Sequence, residues 1–124
     1  MGIFDGMMGN ASEVNLSSVA NEYSKVLAEG EKIERAYRLI RDMFIFTNKR
    51  LILVDKQGVT GKKQEYHSIP YKNIQHFSIE TAGHLDLDAE LKIWLSGGTL
   101  IEKQFNKSLD IYEVQSVLAK YVLF

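Results

Sequence analysis

At 124 residues, 45% of them hydrophobic and 25% charged, the chain is expected to form one domain (1–124) that buries a core without staples. It contains no cysteine, which excludes disulfides, thiolate catalysis and cysteine-based zinc sites and fits a reducing, cytoplasmic setting. With 15 basic against 16 acidic residues the net charge is −1, so no general attraction for nucleic acid or anionic lipid is expected. Met1–Gly9 lacks a basic stretch and a long apolar run, so no secretory signal is expected, and Gly6 fails the myristoylation pattern. No stretch approaches the roughly 20 apolar residues that span a bilayer.

Residues 1–30 read as a helical extension. Val19, Tyr23, Val26 and Leu27 fall at helical spacing, Ser12 or Asn15 supplies the cap, and Gly30 stops the helix. Strands occupy 31–107. The first spans Ile33–Ile40, with Ile33, Tyr37 and Leu39 on one parity. Six more follow at about 42–47, 50–55, 63–69, 74–81, 88–96 and 99–105, separated by turn residues such as Asn48-Lys49, Gln57-Gly58 and Gly97-Gly98. Met43–Phe46 and Leu51–Val54 are apolar at every position, which is expected of a hairpin buried on both faces. Ala89, Leu91, Ile93 and Leu95 alternate with Glu90, Lys92 and Trp94, a strand with one buried and one exposed face. The segment 108–124 repeats apolar residues at helical spacing; Ser108 or Asp110 caps it, and Glu113 completes a near capping box with Asp110. Short antiparallel strands followed by one helix imply a mainly β, α+β fold with a curved sheet or partly open barrel.

Catalytic and metal chemistry find little foothold. No nucleophile elbow, phosphate loop or dinucleotide fingerprint occurs, so a non-enzyme without a cofactor is expected. His84, Asp86, Asp88 and Glu90 alternate with apolar residues, but counting from Asp86 the calcium-loop positions for Gly and Glu hold Leu91 and Gly97. His67, His76 and His84 have no partner at ligand spacing. Two surface candidates remain. Trp94, flanked by Lys92 and Glu90, points outward and is a candidate interface anchor unless the N-terminal helix covers it. Arg35, Arg38, Arg41, Lys49 and Lys62 would form an anion or headgroup patch if the first strand and two turns converged on one rim. Against that patch stand Glu31, Glu34, Asp42 and Asp55, read as members of a solvated face with weak ion pairs.

Thr47-Asn48-Lys49-Arg50 between two apolar strands, followed by Ile69-Pro70-Tyr71 and Ile74, resembles the signature of the bacterial pleckstrin-homology-like domains. Glu29-Gly30-Glu31-Lys32-Ile33, Arg41-Asp42 and Glu80-Thr81-Ala82-Gly83 match it in order, from about residue 15 onward. The resemblance implies seven antiparallel strands in two near-orthogonal sheets of four and three, a partly open barrel capped by the C-terminal helix. It also implies cyclic homo-oligomers whose sheet edges meet. Eukaryotic relatives bind phosphoinositides through a lysine followed by a basic-x-arginine pattern, where this chain has Arg38-Leu39-Ile40-Arg41-Asp42. Within the signature, the Thr47 hydroxyl and Asn48 amide are expected to bond nearby backbone while Lys49 and Arg50 keep the tip in water. The apolar excess of the hairpin needs cover from a terminal helix or a neighbouring protomer. The leading expectation is a self-assembling, ring-forming scaffold that binds a protein partner; the alternative is a peripheral membrane module on the basic patch.

Overall fold

The computed structural model describes residues 15–39, 42–60, 62–81, 88–106 and 110–124. Seven strands form two antiparallel sheets: β1 (Ile33–Arg38), β2 (Met43–Thr47), β3 (Arg50–Gln57) and β4 (Lys63–Pro70) in order, then β5 (Ile74–Glu80), β6 (Asp88–Leu95) and β7 (Leu100–Asn106). Helix α1 (Leu16–Glu22) precedes the first sheet, a 3-10 turn (Tyr71–Asn73) precedes β5, and α2 (Ile111–Leu123) follows β7. The chain divides into two compact units at Ile69/Pro70.

In the first unit the register of β2 and β3 sorts their continuous apolar runs into two faces. Met43 pairs with Val54 and Ile45 with Ile52; Phe44 pairs with Leu53 and Phe46 with Leu51. The first face packs with Val19 and Tyr23 of the N-terminal segment into one buried cluster, flanked by Leu16, Val26 and Leu27. The second face is buried as well, and Tyr37 meets Phe46 edge to face at 6.0 Å. Both faces are thus covered within one chain, so the hairpin's composition supplies no argument for a neighbouring protomer. A fully buried side chain of this size contributes about 1.5–3 kcal/mol, which makes the N-terminal segment an integral layer of the unit.

That segment is less helical than its periodicity suggests. Asn15 caps α1 by accepting from the Ser17 and Ser18 amides at 3.0 and 3.2 Å, but the helix ends at Glu22 and turns carry the stripe through Val26 and Leu27. The Val26 carbonyl and the Ala28 amide are taken by side chains of Arg50 and Glu31, so tertiary partners replace the helical ladder. Gly30, at φ +82, does not terminate the helix; it sits third in a tight turn closed by the Glu31 amide on the Ala28 carbonyl at 3.0 Å. In β1 a register shift between Ile33 and Arg35 breaks the expected parity. Ile33 joins Ala36 against the α1 cluster, while Tyr37 faces the other way. The expected cap at Ser108 lies outside the described residues.

The second unit follows its pattern closely. Ala89, Leu91, Ile93 and Leu95 are buried, whereas Glu90, Lys92 and Trp94 are partly exposed. β6 turns into β7 through Ser96–Thr99, with Gly97 and Gly98 both at φ +93. Asp110 caps α2 by accepting from the Tyr112 amide at 3.0 Å, and Ile111, Val114 and Leu118 form its buried stripe. Tyr121 near the helix end stacks on Tyr71 at 4.7 Å. Among the described residues no helix is long and apolar enough to cross a membrane.

Candidate interaction surface

Antiparallel register places three rows on the outer face of β5–β6–β7. His76, Trp94 and Leu100 are direct cross-strand neighbours, then Ser78, Lys92 and Glu102, then Glu80, Glu90 and Gln104. A register shift between Ile74 and His76 makes the first row possible. Ile74 remains buried opposite Leu95, and His76 turns outward onto Trp94. The two rings stack at 4.3 Å with 22° between their planes. Leu100 is 41% exposed at the far end of the row. Trp94 therefore points outward as the alternation requires, and within its own sheet the ring that lies on the indole is His76. Lys92 reaches Glu90 at 3.9 Å, an exposed pair of little energetic weight.

The four basic residues of this set that the structure describes do not all gather: Arg38, closing β1, and Lys62 belong to the same end of the sheet, and Lys49 to the opposite one. Consecutive turns of a meander lie at opposite ends of the sheet. Lys49 belongs to the β2–β3 turn, and Lys62 lies just before β4 at the other end. Arg35 and Arg38, three apart on one strand, project to opposite faces, with Arg38 on the side of Tyr23 and Ala36. Spacing by three would align them on a helix; on a strand it separates them. Arg41 lies outside the described residues, as do His84 and Asp86. Among the described residues no group of three His, Cys, Asp or Glu side chains comes together as a metal site.

Sequence reasoning missed a polar cluster beneath the Thr47–Arg50 turn. Glu31, read as part of a solvated face, has its side chain only 2% exposed. Its Oε1 accepts from Arg50 Nη2 and the Ala28 amide, each at 2.9 Å; its Oε2 accepts from Arg50 Nε at 2.9 Å and the Thr47 hydroxyl at 2.6 Å. Arg50 is thus no soluble tip. It grips Glu31 bidentately and extends Nη1 to Ser68 Oγ and Nη2 to the Val26 carbonyl, both at 2.7 Å. Thr47 Oγ1 also accepts from the Lys49 and Arg50 amides at 3.0 and 2.9 Å, as a hydroxyl at a turn is expected to do. Asn48 accepts from the Lys32 amide at 2.8 Å, sixteen residues away in sequence rather than locally. Lys49 alone of the turn's two cations is exposed.

The electrostatic consequence is large. Hydrogen bonding to Arg50 outweighs desolvation and, with the Thr47 and Ala28 donors, holds the Glu31 carboxyl at about 2 against an ordinary 4.5. Glu31 in turn raises the Arg50 guanidinium further. The only signal available in sequence was the joint presence of the Glu29–Ile33 and Thr47–Arg50 motifs, which this cluster physically connects.

A family model for the bacterial PH domain matches residues 2–122. The chain is 58% identical over 121 residues to the uncharacterised protein YjqA of Bacillus subtilis, covering 96% of this chain and 97% of that one. It is 38% identical to the uncharacterised protein YozO of the same organism, covering 98% of each. A crystal structure of a pleckstrin homology domain from Shewanella amazonensis superposes with a TM-score of 0.82 at 53% identity, covering 94% of each chain. A pleckstrin-homology-domain protein from Shewanella loihica gives 0.79, also at 53% identity, over 93% of this chain and 99% of that one. The chain belongs to the bacterial PH domain family.

Proposed function

We propose that the protein is a non-enzymatic, cytoplasmic interaction module that assembles with copies of itself and presents the outer face of its three-stranded sheet to a protein partner. The observation that carries this reading is the His76–Trp94–Leu100 row, an aromatic and aliphatic strip on the exposed side of β5–β6–β7. Tryptophan so placed is the residue type most often found at the energetic centre of protein interfaces. Self-assembly draws support from a separate feature. Both sheets are open, leaving β1, β4, β5 and β7 as edge strands, and edges paired head to tail stop growing when the rotation closes into a ring.

Light scattering coupled to size exclusion tests the assembly: a mass of several chains at micromolar concentration is expected, and a monomer overturns it. For the outer face, Trp94→Glu is expected to leave the mass and the far-ultraviolet spectrum unchanged while abolishing partner binding. The basic residues are divided between the two ends and the two faces of the first sheet, which gives the membrane alternative less support.

A further inference from the structure

The rows beside the apolar strip define what kind of partner it suits. Among the described residues of these rows, Glu80, Glu90 and Glu102 face outward with one lysine, Lys92, which is engaged with Glu90. Glu80 stands directly opposite Glu90, a like-charged cross-strand pair that a cation from a partner would relieve. Rows two residues apart lie about 7 Å from one another, so acid borders the strip and continues to about 13 Å from it.

We propose that this face binds an extended peptide segment of a partner protein, with an apolar or aromatic residue seated on the strip and basic residues two and four positions further on. The proposal rests on the reading of the outer face as a docking surface and adds the chemistry of the occupant. A segment running along the strands presents alternate side chains at the same interval as the rows, so one apolar anchor and two cations match the pattern in register. Other occupants fit worse. A second copy laid strip on strip brings no cation beyond its own Lys92, and three carboxylates repel anionic lipid and nucleic acid alike.

Trp94 is the only tryptophan in the chain, so intrinsic fluorescence reports on this face directly. The full chain is titrated with three synthetic peptides: a leucine followed at the second and fourth positions by lysines, the same peptide with glutamates, and the lysine peptide with alanine for leucine. The first is expected to shift Trp94 emission with an affinity that falls as salt rises, and to bind about tenfold more tightly than the second, as two exposed ion pairs allow. The alanine peptide is expected to bind weakly or not at all. Replacing Glu80→Lys and Glu102→Lys together, both exposed, is expected to reverse the charge preference without loss of structure. Equal binding of the two leucine peptides overturns the charge requirement while leaving the docking surface standing. No emission change with any peptide overturns both. An emission change driven by protein concentration alone, with no peptide competing, makes a second copy the occupant and also overturns the proposal.

Discussion

The Glu31 carboxylate gives the sharpest quantitative test. In the folded chain it titrates near 2, in the unfolded chain near 4.5. A lowered folded value means that the unfolded state takes up the proton first on acidification. The stabilisation is therefore complete above about pH 4.5 and is lost as pH falls toward 2. At about 1.4 kcal/mol per unit the linkage amounts to about 3 kcal/mol, an order-of-magnitude figure and an upper one, because the Arg50 partner keeps contact with solvent that screens the pair. Glu31→Gln keeps the shape, removes the charge and leaves one amide group facing donors. Urea denaturation followed by circular dichroism, repeated from pH 7 to pH 3, compares it with the parent. The variant is expected to be less stable by up to about 3 kcal/mol at neutral pH, with the gap narrowing steadily below about pH 4.5. A gap that is small at pH 7, or constant across the acid range, refutes the assignment of the shift to the Arg50 pair.

Three further outcomes follow from neighbouring contacts. Thr47→Val preserves shape but strips partners from Glu31 Oε2 and from the Lys49 and Arg50 amides; urea midpoints are expected to show a loss of about 2 kcal/mol. Burial first, then the adjacent Glu22, pushes the Tyr23 phenol up to about 12. Because the unfolded chain releases that proton near 10, stability falls between about pH 10 and 12, and Tyr23→Phe is expected to flatten the fall in an alkaline denaturation series. Asp110→Ala removes the two amide contacts that start α2, and thermal unfolding is expected to register about 1 kcal/mol.

What was legible in the sequence and what was not divide along a physical line. Local rules placed all seven strands within a few residues, since alternation and turn residues act over short range, as in Ala89–Leu95 and Gly97-Gly98. They failed where a distant side chain takes a local backbone group. The stripe through Val26 and Leu27 reads as helix, yet Arg50 holds the Val26 carbonyl twenty-four residues away. Parity misled in β1 for a related reason, and β5 holds a second irregularity of the same kind. One register shift in β1 moved Ile33 off the face of Tyr37, and another in β5 turned His76 outward while Ile74 stayed buried. Neither shift has a marker in the sequence. Charge was the least legible property, because the same Glu31 that reads as solvated beside Lys32 becomes a buried carboxylate only when Gly30 folds the chain toward Arg50.

These hydrogen bonds also bear on where function can reside. Both oxygens of Glu31 already accept two donors each, Arg50 makes four side-chain hydrogen bonds, and the Thr47 hydroxyl serves two amides besides Glu31. Breaking a buried pair of this kind by binding a ligand to one member would leave the other uncompensated, at about 3–5 kcal/mol. Glu31, Thr47 and Arg50 of the signature are thus committed to tying the segment after α1, the β2–β3 turn and β4 together, and they have little capacity left for a phosphate or a headgroup. On the proposed reading, recognition falls to side chains outside the signature that keep free surface. On the outer face of β5–β6–β7, the stacked His76 and Trp94 with Leu100 beside them meet that condition. A substitution in the Thr47–Arg50 turn should accordingly lower stability without changing partner preference. One at Trp94 should do the reverse.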